Sequence, residues 1–303
     1  MEKKKIIVVG SSNTDMVVRS EKLPRPGETV LGNTFIMNPG GKGANQAVAA
    51  AKLGAEVIFI AKIGDDIFGR ESLKGFEKLG VITKYISIDE KSPSGIALIL
   101  VDGKGENSIS IAPGANNTLS TLEIDNVTAI FDKASFLLMQ LEIPLKTVIY
   151  AAQLASRKNV RIILNPAPVQ QLPLVLLKLL YIITPNENEA HSLTGIEVTN
   201  LASAEMAAEK LRTMGVKIVI ITLGNKGAFI LSDNYKELIK PPKVKAIDTT
   251  AAGDTFNGAL VVALSEGKNL IEAINFANKA AAFSVTKLGA QKSAPTKEEL
   301  QFF

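Results

Sequence analysis

The stretch Asp248-Thr249-Thr250-Ala251-Ala252-Gly253-Asp254 leads small and polar residues into an apolar, helix-forming run from Phe256 to Leu264. Ala251, Ala252 and Gly253 carry almost no side chain, so a ligand can approach their backbone N–H groups closely. At a helix N-terminus such groups lack partners within the helix and hold about half a positive charge, which suits a phosphate. Asp254 lies in the same turn, and its spacing leaves two roles open. It can cap the helix by accepting a bond from the first-turn amides. It can equally act as a general base on a hydroxyl that attacks a phosphate.

Other polar clusters follow short apolar runs, where an open α/β sheet places its ligands. Gly10-Ser11-Ser12-Asn13-Thr14-Asp15 follows the first; without further glycines it is no dinucleotide fingerprint. Asn38-Pro39-Gly40-Gly41-Lys42-Gly43-Ala44-Asn45 opens a helix and lacks the spacing of a Walker loop. It reads either as a flexible turn or as bare backbone that admits a polyol, with Lys42 and Asn45 bonding its oxygens. Glu142 supplies a carboxylate just past another run. Asn186 and Glu189 at i, i+3 fit a capping box, and equally fit Mg²⁺ held through water. Leu223-Gly224-Asn225-Lys226-Gly227 is a tight turn able to lie against phosphates or ribose.

These residues need elements that bring them together. Strand-like runs at 5–10, 57–61, 135–139, 161–164, 181–184 and 217–222 alternate with helical patterns at 44–53, 68–79, 145–156, 202–214 and 270–286. That alternation predicts a three-layer α/β/α domain around a mostly parallel sheet, and a further strand is expected at Val244–Ile247. Two segments break the pattern. Residues 14–39 hold two extended runs around Leu23-Pro24-Arg25-Pro26-Gly27. In 93–112, Ile96–Val101 and Asn107–Ala112 flank Asp102-Gly103-Lys104-Gly105 as a hairpin. Together they predict a small β-sheet lid on a single domain spanning 1–303, able to close over a ligand or to pair two subunits as a homodimer.

Composition narrows the field. Hydrophobic residues make up 46% and charged residues 21%, as in a globular chain. The balance of 34 basic and 30 acidic residues, +4, argues for no nucleic-acid partner. Cysteine is absent, which excludes disulfides and thiolate metal sites and fits a cytoplasmic location. The charged start Met1-Glu2-Lys3-Lys4-Lys5 precedes an apolar run too short for a signal peptide or a membrane span. The single histidine, His191, falls mid-helix and reads as structural.

The pairing of Gly40-Gly41-Lys42-Gly43-Ala44-Asn45 with Asp248-Thr249-Thr250-Ala251-Ala252-Gly253-Asp254 resembles the two signatures of the ribokinase-like (phosphofructokinase-B type) carbohydrate kinases. The likeness continues through Leu138-Met139-Gln140-Leu141-Glu142, Leu164-Asn165-Pro166-Ala167-Pro168 and Thr184-Pro185-Asn186-Glu187 to Lys287-Leu288-Gly289-Ala290-Gln291. The resemblance implies an ATP-dependent kinase that phosphorylates the primary 5-hydroxyl of D-ribose. Asp254 would be the base, and Ala251, Ala252 and Gly253 the anion hole. Many relatives begin that motif with Gly where this chain has Ala251; since the amides do the work, little is expected from the change. Asn13, Asp15, Gly41, Lys42, Asn45 and Glu142 match sugar-binding positions, with sugar choice expected from Asp15, Asn45 and Glu142. Asn186 and Glu189 match a motif that organises Mg²⁺ and phosphates, while Thr222, Gly224, Gly227, Gly253 and Asn278 match nucleotide-binding positions. Asp248, Thr250, Ser284, Lys287, Gly289 and Ser293 match an activating K⁺ site. Deoxyribokinase, fructokinase and nucleoside kinase activities are rivals of the same class, although an aromatic share of 5% disfavours a clamp for a nucleobase. A sugar-binding protein without catalysis would need neither Asp254 nor the Asn186/Glu189 pair.

Overall fold

A computed structural model of the chain describes residues 5–303, so the charged start 1–4 lies outside the described residues. The strands are β1 Lys5–Val9, β2 Asn13–Ser20, β3 Gly32–Gly40, β4 Val57–Gly64, β5 Ile86–Asp89, β6 Gly95–Val101, β7 Asn107–Ala112, β8 Ala134–Met139, β9 Arg161–Leu164, β10 Ile182–Ile183, β11 Ile218–Thr222, β12 Ala228–Leu231 and β13 Lys236–Ile239. Among the described residues they form two sheets. A nine-stranded sheet has the order β13-β12-β11-β10-β9-β8-β1-β4-β5, and a four-stranded one has the order β3-β2-β6-β7.

From β11 to β5 the large sheet is parallel. Its central strands are continuous apolar runs: Ile6, Ile7, Val8 and Val9 are fully buried, as are Leu137, Leu138 and Met139. Two hydrophobic clusters lie on its two faces. Ile7, Val9, Leu137 and Met139 belong to one, and Ile6, Val8, Phe136 and Leu138 to the other, as period-two alternation requires.

The predicted strands and helices lie within one or two residues of their expected ends for the most part, and 161–164 coincides. Strands β12 and β13 form an antiparallel edge that the sequence reading leaves out. The strand expected at Val244–Ile247 does not form. Pro241 and Pro242 lack N–H donors, and Ile247 is exposed, its amide bonding the Val285 carbonyl at 2.7 Å outside any sheet.

The small sheet comprises β2 and β3 from residues 13–40 and β6 and β7 from residues 95–112. It springs from the large sheet through Gly10-Ser11-Ser12 and returns at Pro113. Register pairs Asp15 with Asn38 on β3 and with Ala97 on β6, so these residues share one face. Phe35, Met37 and Leu98 share the other, are each at least half exposed, and pair through Val18 and Met16.

Helix Lys42–Lys52 packs against helix Ala252–Ser265 on the sheet. Their closest approach is at Gly258, where a Cβ would stand 2.7 Å from the Ala49 Cβ and 2.9 Å from the Gln46 carbonyl oxygen. Small residues on both helices allow that contact, which brings the two signature segments together across the sequence. Gly258→Val is expected to force the helices apart and to destabilise the protein by about 2–3 kcal/mol. Urea denaturation checks this; an unchanged midpoint would show that the contact has slack.

Candidate active site

The helix bearing Asp254 begins at Ala252, with Ala251 as its N-cap residue and no side-chain cap. Asp254 therefore stands in the first turn and is not the cap, which disposes of the bland alternative. Its side chain turns the other way. Oδ2 accepts a bond from the Asn45 amide at 2.9 Å, and Oδ1 accepts one from the Gln46 amide at 2.9 Å. Only 6% of Asp254 is exposed.

The first-turn amides are nearly free. The Ala252 N–H donates to the Thr249 carbonyl at 3.2 Å, a long bond, while those of Ala251, Gly253 and Asp254 find no acceptor among the described residues. Asn257 closes the turn below them, donating to the Gly253 carbonyl at 2.8 Å and accepting from the Thr184 hydroxyl at 2.7 Å. Ala251 has φ 57 and ψ 19, in the left-handed region. The expectation that alanine here changes little needs correcting. Without a side chain glycine adopts this conformation readily, whereas alanine is strained by about 1 kcal/mol or more.

These groups line a cleft of about 780 Å³ together with Lys42, Asn186, Glu189, Thr222, Gly224 and Asn278. Gly227 is not on that surface. It closes the turn beneath, donating to the Gly224 carbonyl at 3.2 Å, while its own carbonyl accepts from Leu223 at 2.7 Å. The Asn278 amide donates to the Ile239 carbonyl at 3.0 Å, which fixes its carbonyl end. Asn186 and Glu189 do form a capping box. The Glu189 carboxylate accepts from the Asn186 backbone and side-chain N–H groups at 2.9 and 3.0 Å. His191 is exposed on that helix, and its carbonyl accepts from Gly195, in keeping with a structural part.

Among the residues expected at a sugar, Glu142 accepts bonds from the Ser11 hydroxyl at 2.5 Å and the Lys42 amide at 2.9 Å. Gly41 has φ 88, and a Cβ there would meet the Asn13 nitrogen at 2.7 Å, so only glycine allows this crossing of backbone. Asn13 accepts a bond from Asn116 at 2.7 Å. The Asn45 amide oxygen is buried with no partner. The Asp15 carboxylate has no hydrogen-bond partner among the described residues, and burial, then Glu142 and Asp254, push it up to about 6 despite Lys42. Burial also raises Asp254, against the pull of Lys42, Gln46 and Asn45, and it raises Glu189. Lys42 itself is disfavoured by burial, yet the carboxylates of Asp254, Glu142, Glu189 and Asp15 outweigh this and hold its proton more firmly than usual.

The remaining predicted set lies on the loop past the helix. Asp248 accepts bonds from the Thr250 and Gly289 amides, each at 2.9 Å. Burial alone would raise it, but these bonds and the charge of Arg19 keep it below the usual carboxylate range. The Ser284 carbonyl accepts from the Lys287 amide at 3.1 Å, and the Ser284 and Ser293 hydroxyls donate to the carbonyls of Ala281 and Ala290. The Lys287 side chain points away to Glu299 at 2.7 Å.

Sequence reading assigned no role to Gln46, Gln140, Asn165, Thr184 or Asn257, which the structure joins into one buried chain of hydrogen bonds around Asp254. The available signal was their polarity at positions where the helical or strand period demands apolar residues.

Free first-turn amides, a buried acid and a polar cleft thus lie together on an α/β sheet, and the chain is similar to known proteins. The model of the "pfkB family carbohydrate kinase" matches residues 3–297. A ribokinase from Haemophilus influenzae is 48% identical over 98% of this chain and 97% of its own. Among solved structures, ribokinase from Thermotoga maritima is 42% identical with a TM-score of 0.90 and 98% of both chains covered. Arabidopsis thaliana ribokinase complexed with ribose and ATP is 34% identical with a TM-score of 0.92, covering 100% of this chain and 98% of the other. The chain belongs to the pfkB family of carbohydrate kinases. Within that family it is an enzyme of the ribokinase type, a sugar kinase.

The raised Asp15 gives a pH signature. An acid with a folded-state value above its unfolded one favours folding below about 3.8, and that contribution disappears as pH rises through about 6. Asp15→Asn is therefore expected to stabilise the protein at pH 8 by about 1–3 kcal/mol and to do nothing at pH 4. Melting curves at both pH values check this; a gain that does not depend on pH would contradict it.

Proposed function

We propose that this chain transfers the γ-phosphoryl group of ATP to the primary 5-hydroxyl of D-ribose, giving D-ribose 5-phosphate and ADP. The observation that carries the reading is Asp254, buried, held by two amides and set one residue past free backbone N–H groups. In this mechanism the sugar hydroxyl donates its proton to Asp254 as its oxygen bonds to the γ-phosphorus and the bond to the β-phosphate oxygen breaks. Negative charge on the transferred group meets the Gly253 and Asp254 amides and the ammonium of Lys42. Phosphoryl transfer is loose, so this electrostatic placement outweighs proton removal. Asp15, Asn45 and Glu142 would read the sugar hydroxyls. Asp15 and the unpartnered Asn45 oxygen are acceptors still lacking donors, as a polyol site requires.

The ATP would lie in the cleft between Thr222, Gly224 and Asn278, in keeping with the ATP present in the Arabidopsis ribokinase complex. A magnesium ion neutralises charge on transferring phosphates. Each Glu189 oxygen accepts one bond from Asn186 and keeps a further lone pair, so these two residues fit such an ion through its waters. Asp248, ionised beside the turns at Thr250 and Gly289, fits a weakly held monovalent cation such as K⁺, which would steady the loop that carries Ala251. The small sheet would serve as a lid, with Asp15 on its inner face, and Phe35, Met37 and Leu98 on its outer face would pair two copies of the chain.

Incubation with ATP, Mg²⁺ and a panel of pentoses and hexoses, followed by mass measurement of the products, tests the substrate. Phosphorylation of D-ribose with high preference is expected; preference for 2-deoxyribose, fructose or a nucleoside would replace the reading. Asp254→Asn is expected to lower kcat by about 10²–10⁴-fold with the sugar's KM little changed. For the dimer, a Phe35→Glu, Met37→Glu double variant should sediment as a monomer where the native chain sediments as a dimer.

A further inference from the structure

Gln46 is fully buried on helix Lys42–Lys52 and spends every polar atom of its side chain. Its amide nitrogen donates one hydrogen to Asp254 Oδ1 at 2.9 Å and the other to Asn165 Oδ1 at 3.0 Å. Its carbonyl oxygen accepts from Gln140 at 2.6 Å. A side-chain amide can be turned end for end, but a turned Gln46 would set its oxygen against the oxygens of Asp254 and Asn165. Gln140, whose own amide oxygen is buried without a partner, supplies the donor to the oxygen end of Gln46. Asn165 is oriented in turn, since its own nitrogen donates to the Thr184 carbonyl at 3.3 Å. The donor end of Gln46 is thus held towards Asp254 by Asn165 just past β9, itself fixed by the Thr184 carbonyl just past β10. Asn45, the other donor to Asp254, has no such lock: its oxygen is without a partner.

We infer that Gln46 is a positioning residue for the reaction, fixing the plane of the Asp254 carboxylate so that a free lone pair faces the sugar hydroxyl. The inference rests on Asp254 being the proton acceptor proposed above. With Oδ1 bonded to Gln46 and Oδ2 to Asn45, rotation of the carboxylate breaks both bonds at once, and the lone pairs not used by the amides point to the cleft. Gln46 is fully buried and does not line the cleft, so its removal should act on turnover and not on binding. Gln46 also contributes to keeping Asp254 ionised, alongside Lys42 and against Glu142. The other charged groups coupled to this centre are Asp15 on the small sheet and Glu189 on its helix.

The test uses the full chain with ATP, Mg²⁺ and D-ribose. Gln46→Met keeps the volume and removes the donor. Gln46→Glu keeps the shape and the bond from Gln140 but turns a carboxylate on Asp254. Both are expected to lower kcat about tenfold to a hundredfold, with the KM of sugar and of ATP changed by less than about threefold. The acidic limb of the kcat–pH profile should move to higher pH in both, a readout that a merely structural residue would not shift. Should both variants melt as the native chain does and keep kcat within about threefold of it, the inference is overturned. A fall in kcat with an unmoved acidic limb, or with both KM values raised in step, overturns it as well. Asp254→Asn is run in parallel: if that variant turns over normally, the failure lies with the proposed base and not with Gln46.

Discussion

A carboxylate taken out of water is costly unless donors replace the lost solvent, and everything around Asp254 answers that requirement. Two neutral amides, from Asn45 and Gln46, take the place of water, and Lys42 supplies the compensating charge. Neutral donors orient a carboxylate without quenching it as a tight ion pair would, so it stays basic enough to accept a proton. The donors come from a helix more than 200 residues earlier in the chain, with a separation of 209 for Asn45. They reach Asp254 only because Gly258, Ala49 and Ala50 let two helices nearly touch.

The rest of the polar centre is left short of partners within the protein. Asp15, Glu142, Asp254 and Glu189 crowd around one lysine, and the net effect raises three of these acids. The Asp15 carboxylate goes without a hydrogen bond among the described residues, and the Asn45 oxygen is orphaned. Strain at Ala251 adds to the same account. Such features lower stability and are tolerated because the sheet behind them is a continuous apolar core.

The fold was largely legible from periodicity. Buried parallel strands must be apolar on both faces, and their helices carry recognisable stops, so the alternation reads directly into layers. The edge hairpin β12–β13 escaped because its strands are only four residues each, β12 buried throughout and β13 half exposed. The expected strand at Val244–Ile247 failed for the opposite reason: an alternating pattern says nothing about whether a neighbouring strand is present to bond it. Two prolines ahead of it leave the segment irregular, with the Ile247 amide bonded to the Val285 carbonyl.

The residue types that can do the chemistry, and the family they resemble, were set by the sequence itself: an acid beside small residues, a Gly-Gly-Lys-Gly turn, a carboxylate after a strand. Those follow from local rules of backbone access and charge. The tertiary structure alone decided that Asp254 does not cap its helix, that Gly227 props a turn instead of lining the cleft, and that Asn186 donates to both oxygens of Glu189. It alone revealed Gln46, Gln140 and Asn165 as a single hydrogen-bonded chain. The physical reason is that a side chain's role depends on which partners lie within three ångströms, and here those partners come from elements far apart in sequence.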